Sequence, residues 1–464
     1  MSRPALLRFT TGLLASFALF TAAACADDPQ VVTDPDPEPP SPPPSSPPVT
    51  PPPPPPPGAS VSTTVAVPGS MRTAPFNVSR TLVVPPNFTI AVYARISGVR
   101  FMAMTPDGNL LVSVPGSAKV LLVRPNGAND PLVTDFATGL RDPHDMVVRT
   151  VGGTTYVYIS ESHQINRYVY SVGGLTAGAR QVVVTGLPDR TSPGFGSTYQ
   201  HGYKNIAIDT NDKLYVSIAS ACDACASDAE GNPVRGSIYV YNEDGSAGRL
   251  FARGFRNAEG LAVIPGTSTL WVVVNNRDNI PYPFNDASGN YGRRFAAYID
   301  NHPAEAFTRV RDGGNYGWPF CNPNPDSPTG LVDMPHDPDY DTNRSGTVDC
   351  AAMDRVSRGI QAHSAPLGLV FFQNTAAPTL YREGVAVALH GSWNRTQKTG
   401  YKVIYFPWNT VTQLPGDEID LVTGWADAFS SWGRPVDVAV DPSGAIFISD
   451  DQAGAIYKLS YVGQ

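Results

Sequence analysis

A short unit recurs six times in this chain: a turn of Gly, Asp, Asn or Ser, then a short run of alternating or continuous apolar residues. The copies are Pro106-Asp107-Gly108-Asn109 before LLVS, Gly152-Gly153-Thr154 before TYVYIS, and Asn211-Asp212-Lys213 before LYVSI. They continue with Gly266-Thr267-Ser268 before TLWVVV, Arg382-Glu383-Gly384 before VAVAL, and Pro442-Ser443-Gly444 before AIFIS. Most follow a second apolar run: FMAM, DMVV, NIAI, LAVI, LGLVFF and VDVAV. Strand, tight turn, strand, repeated at intervals of roughly 45 to 115 residues, predicts an all-β fold, a six-bladed β-propeller. The innermost strands of such a ring line a central channel, and its mouth is the natural address for a site.

Not all 464 residues belong to that ring. Residues 1–25 have the make-up of an export signal: Arg3 and Arg8, an apolar stretch from Leu13 to Phe20, and Ala22-Ala23-Ala24 before Cys25. Small residues directly before a cysteine suit a lipobox with Cys25 as the lipidated residue. An ordinary signal peptide cut near Ala24 or Ala26 is the alternative. The next segment, 26–59, holds 17 prolines between positions 29 and 57 and cannot pack a core. It is expected to be an extended spacer of about 3.1 Å per residue. Residues 60–464 form the propeller domain. A ring of sheets escapes the size limit of a single core, because each blade packs only on its neighbours. The net charge of −8 gives no basic footprint for nucleic acid.

Four cysteines remain beyond Cys25, an even count that reads as two disulfides in an exported chain. The local pairing is Cys222–Cys225 with Cys321–Cys350. The long gap between Cys225 and Cys321 and the lack of a second CxxC argue against a zinc site. Cys225 is followed by Ala226 rather than His, so the motif does not attach haem.

Polar residues gather at one end of the repeat. Inner-strand starts carry Arg100, His144 with Asp145, His201, Arg256 with Asn257, His363 and Arg434. Ends of the second strands carry Glu161, Ala219-Ser220, Asn275-Asn276, His390 and Asp450-Asp451. Antiparallel pairing puts both groups on the same face. A ring of cations and hydrogen-bond donors suits a flat, multiply anionic ligand. Taken singly, Arg100 and Arg434 could pair with acids of neighbouring blades, His144 with Asp145 could be structural, and His363 could pack between blades.

Five segments in order then resemble the glucose/sorbosone dehydrogenase family: His201-Gly-Tyr-Lys-Asn, Gly254-Phe-Arg-Asn, Gly314-Asn-Tyr-Gly-Trp-Pro-Phe-Cys321, Ala365-Pro-Leu-Gly-Leu and His390-Gly-Ser-Trp-Asn-Arg395. Gly433-Arg-Pro-Val-Asp-Val through Tyr457 fits as well, so the resemblance spans about 75–464. HGSWNR and the paired cysteines are similar to the sorbosone and pyranose dehydrogenase branch. The resemblance implies a propeller that binds pyrroloquinoline quinone and a calcium ion and oxidises a sugar or sugar aldehyde. It implies that His201 is the general base as hydride passes to the quinone. Arg256 and Asn257 would contact the quinone oxygens, Arg256 stabilising negative charge there. Arg100, Arg395 and Arg434 would clamp cofactor carboxylates, and His390, Trp393 and Asn394 would complete the wall. Independently, removing hydride from a carbinol leaves a proton, and a neutral histidine is the base suited to pH 7.

The calcium site would fall at Asn276, Arg277 and Asp278, with Asp300 and Glu305 as nearby acids. The family often has Glu where this chain has Asn276. Residues 276–365 read as an insertion near the mouth that shapes the substrate pocket, as loop 185–200 would. Its acids Asp337, Asp339, Asp341 and Asp349, with Asn343, only faintly resemble a calcium loop. The sequence thus predicts an exported dehydrogenase at the periplasm or cell surface, lipid-anchored to a membrane. It would pass electrons to an external acceptor, a quinone or a separate cytochrome. A calcium-dependent propeller lactonase and a non-catalytic binding propeller are the alternatives. Three mouth arginines favour the first reading.

Overall fold

The computed structural model describes residues 60–192, 201–374 and 377–463. The signal-like segment, Cys25, the proline-rich spacer and residues 193–200 of the expected substrate loop lie outside the described residues.

The repeat is a ring of six sheets. Each of the six turn-strand units supplies the innermost pair of one blade. Blade one is Met102–Met104, Leu110–Val114, Lys119–Asn126 and Asn129–Thr138, hydrogen-bonded in that order. Blade two runs from Met146–Val151 to Gln181–Val184, and blade three from Ile206–Ile208 to Arg249–Arg253. Blade four begins with Asn257–Val263, blade five with Pro366–Gln373 and blade six with Pro435–Val440. Blade six takes its fourth strand, Phe88–Arg95, from the other end of the propeller sequence, antiparallel to Ala455–Tyr461. A strand pair, Val61–Thr64 with Thr81–Val84, lies outside the blades.

Burial explains the composition of the strands. Second strands such as Leu110–Val114 are buried throughout, because both faces meet neighbouring blades. Outer strands keep an exposed face, as in Asn129–Thr138. The core is accordingly divided. One cluster joins Ala94, Phe447 and Ile456 of blade six to Leu110, Val112 and Leu121 of blade one. Five more clusters fill the other blade pairs.

Two devices bring the inner strands together. In blades one, two, three and six, a serine stands at or beside the end of the second-strand motif. The hydroxyls of Ser113, Ser160, Ser217 and Ser449 accept from the backbone N–H of Phe101, Asp145, Asn205 and Asp437 at 2.8 to 3.0 Å. Ser160 and Ser449 also reach the next blade, donating to Lys204 O and Arg100 O, each at 2.6 Å. Blades four and five lack that serine and carry an inner-strand glycine. A Cβ at Gly368 would stand 2.7 Å from Asp437 Cα, and one at Gly260 would fall on Leu367 O. These glycines permit backbone approach that no side chain allows.

The segment 276–365 is more than an insertion. It supplies the two outer strands of blade four, Glu305–Arg309 and Val356–Ile360, and an added edge strand, Val332–Met334. Both expected disulfides are present: Cys222–Cys225 closes a tight loop after the second strand of blade three, and Cys321–Cys350 staples the segment. Among the described residues no helix is long and apolar enough to cross a membrane.

Candidate active site

A pocket of about 160 Å³ opens where the inner strands begin. It is lined by His201, Arg256, Asn257, Asn276, Asp278 and Glu305, with His363 and Trp393 among its other walls. Four elements expected at the mouth thus converge.

His201 is fixed through Ser220, whose Oγ lies 2.9 Å from Nδ1. The Ser220 N–H donates to Arg256 O at 2.9 Å, so one residue joins the histidine to the next blade. A ring that donates Nδ1–H to Ser220 Oγ keeps the lone pair on Nε2, the tautomer a base requires. Burial, then the charge of Arg256, pushes the imidazole down to about 3. It is a neutral ring at physiological pH. Sequence position put Ser220 on this face, but its hold on His201 had no sequence signal.

The Arg256 guanidinium lies between two carboxylates, with Nε 3.0 Å from Asp223 and Nη2 3.0 Å from Asp278. Asn257 donates to Glu259 Oε1 at 2.9 Å. Asp278 also meets His363 Nδ1 at 3.4 Å. Burial opposes a charge on either group, yet their pairing raises the histidine and lowers the carboxyl. Glu305 accepts from Asn276 N at 2.6 Å, and burial pushes its carboxyl up to about 7.

Across the mouth, Arg100 and His390 share Asp451, each at 2.9 Å. Burial is the larger influence on His390 and pushes it down to about 4. Arg434 donates to His390 O at 3.0 Å and to Gly391 O at 3.3 Å. Arg100 thus has the neighbouring-blade acid that is the alternative to a ligand role for it, whereas Arg434 is met by backbone carbonyls. Trp393 leaves 70% of its surface exposed beside the pocket.

Other expected positions are placed differently. His144 is completely buried, its Nε2 3.3 Å from Glu259, with Phe101 and Tyr203 rings on either side. It is a structural residue of the channel, as is Asp145, which accepts from Ile206 N of blade three at 2.9 Å. Arg395 turns from the pocket and donates to Asp300 O. The Arg277 side chain is engaged by Asp223, Asp339 and Asp341, so only its carbonyl could serve a metal. Among the described residues no three His, Cys, Asp or Glu side chains converge on one metal position.

The mouth fits a polyanion. Cations stand on blades one, four and six, and among the described residues the buried donors Arg100 Nε and Asn394 Nδ2 have no acceptor. A hard cation would find oxygen donors at Asp278, Glu305 and nearby carbonyls.

The family model described as TrAA12-like matches residues 82–462. A pyrroloquinoline quinone-dependent sugar dehydrogenase of Hypocrea jecorina is 24% identical over 411 residues, 78% of this chain and 85% of that one. An uncharacterized protein of Borreliella burgdorferi is 23% identical over 86% of this chain and 96% of its own length. Among solved structures, the holo form of the pyranose dehydrogenase PQQ domain from Coprinopsis cinerea superposes with a TM-score of 0.67 at 21% identity. That superposition covers 82% of this chain and 97% of the other.

Proposed function

This chain belongs to the TrAA12-like family, and from that premise we propose that it is an exported dehydrogenase of sugars or sugar aldehydes that uses pyrroloquinoline quinone and calcium. The observation that carries the proposal is the pocket that brings His201, Arg256 and Asn257 together, with Arg434 on the carbonyl of its wall residue Gly391 and Arg100 sharing Asp451 with His390 next to that wall. A flat cofactor with carboxylates and a quinone suits arginines at both ends, whereas a hydrolase does not need them.

When bound, the quinone supplies a two-electron acceptor for the substrate carbinol. Arg100 and Arg434 hold its carboxylates, aided by Asn394 and His390. Arg256 and Asn257 would hold its quinone end, and Arg256 would stabilise negative charge there in a pocket of low dielectric. Asp278, Glu305 and the carbonyls around Asn276 and Arg277 hold calcium. His201 Nε2 takes the proton of the substrate hydroxyl, and Ser220 keeps the ring in the competent tautomer. Trp393 offers a flat wall at the pocket edge. Electrons leave to an external acceptor, and a lipid on Cys25 ties the domain to a membrane at the periplasm or cell surface.

Apoprotein mixed with pyrroloquinoline quinone and Ca²⁺ should gain sugar-dependent reduction of an artificial dye. His201→Ala should lose turnover while still binding the cofactor. Absence of quinone binding by titration of the wild type would refute the proposal. The mass of the mature N-terminus tests lipidation.

A further inference from the structure

Asp223 sits in the four-residue loop closed by Cys222–Cys225 and has no part in the roles above. Its carboxylate nevertheless meets two residues of the pocket wall, Arg256 and Asp278, and the neighbouring Arg277. Oδ1 lies 3.0 Å from Arg256 Nε and accepts from Asp278 N at 3.0 Å. Oδ2 lies 3.3 Å from Arg277 Nε. Its own carbonyl accepts from Trp318 Nε1 at 2.9 Å. The residue is thus held through its backbone by the disulfide loop and the tryptophan, while its side chain holds others. Arg277 carries the bracing onward to Asp339 and Asp341 of segment 276–365.

An arginine is long and rotamer-rich, and its direction is set by its partners. Arg256 is nearly buried, with a side-chain exposure of 5%; Asp223 pairs with it as an ion 3.0 Å from Nε, and Asp278 accepts a hydrogen bond from its Nη2. Asp278 belongs to the pocket itself. Asp223 is the anchor outside it.

We infer that Asp223 is a positioning residue: it sets the direction of the Arg256 guanidinium and the backbone at Asp278, and the Cys222–Cys225 loop exists to hold it still. The consequence for cofactor affinity rests on the proposed quinone site. The consequence for Arg256 itself does not.

The test has two arms. In apoprotein, the Nε–H resonance of Arg256, assigned by its disappearance in Arg256→Lys, should exchange slowly with water. Asp223→Ala should speed that exchange at least about ten-fold, while the Nε–H of Arg149, paired with Asp212 at 2.7 Å on another face, stays unchanged. In the second arm, pyrroloquinoline quinone is titrated into wild type, Asp223→Ala, Arg256→Ala and the double variant in Ca²⁺. Asp223→Ala should weaken binding about ten-fold, and the double variant should bind no worse than Arg256→Ala alone. Guanidinium ion should partly restore binding to Arg256→Ala and fail to restore it to the double variant. If Asp223→Ala does not fold, Asp223→Asn, which keeps the shape and drops the charge, replaces it with the same expectations. Unchanged Arg256 exchange, or losses that multiply independently in the double variant, would overturn the inference. Failure of the wild type to bind quinone would defeat the functional proposal, and the exchange arm would still decide the role of Asp223.

Discussion

Lowering the pH from 7 to 5 should leave the enzyme nearly as fast as before. The working form of the base is the neutral ring of His201, and its protonation midpoint is pushed down to about 3. A ring with that midpoint is roughly 99% neutral at pH 5. An ordinary histidine, with a midpoint near 6.5, is roughly 75% neutral at pH 7 and roughly 3% at pH 5, a fall of about 25-fold. The prediction is therefore that kcat/KM changes by less than about two-fold over this range, where an exposed base would lose about 25-fold. The assay is ferricyanide reduction by holoenzyme, whose electron uptake consumes no proton, with circular dichroism to verify the fold at both ends. Arg256→Gln removes the second influence on the ring after burial, so its acid limb should move upward. His201→Ala should lower the rate by about 10²- to 10⁴-fold. A wild-type acid limb near pH 6.5, or His201→Ala with more than about a tenth of wild-type activity, would refute the reasoning.

Gly368→Ala should destabilise the protein by about 1–3 kcal/mol in urea titration, since its Cβ would strike Asp437 across the blade interface. Ser160→Ala should cost about 1–3 kcal/mol, because the hydroxyl both accepts from Asp145 N and donates to Lys204 O. A urea midpoint equal to wild type in either variant would contradict the two-device account of ring closure. Asp437 is buried and its carboxyl is raised well above the usual range, first by burial and then by Asp145. Such a group favours folding while protonated, and stability falls as pH rises above the unfolded carboxylate value toward the folded one. Asp437→Asn should therefore show a smaller loss of urea midpoint between pH 5 and pH 8 than wild type. An unchanged slope would mean that Asp437 does not titrate in this window.

The ring, its six inner pairs and the face that carries the site were legible because hairpin chemistry is local. Turn residues and apolar runs lie within a few positions of each other. The final strand of blade six was not legible, because Phe88–Arg95 pairs with residues from the other end of the domain. Residues 276–365 read as an insertion because their blade strands, Glu305–Arg309 and Val356–Ile360, are separated by a stapled excursion that hides the period. At the site, residue type placed His201, Arg256 and Asn257 on the pocket wall but could not tell His144 from His201. Both follow the same positional rule. Only the depth at which Phe101, Tyr203 and Glu259 enclose His144 separates them. Arg277 shows the same limit: its number puts it beside the pocket, and three acids draw its side chain away.

Closure of the sixth blade by residues from both ends of the domain has a temporal consequence. Contacts of this separation form late, since the whole chain must be present before its ends meet. Arg100 stands just after the early strand and Asp451 just before the late one, and their 2.9 Å ion pair spans the join. The Arg100–Asp451 pair of the mouth therefore depends on that closure. A chain stalled short of its last blade would lack a finished anion cradle. Conversely, a ligand gripping both Arg100 and Arg434 would act as a clasp across the join, making the filled protein slower to open than the empty one.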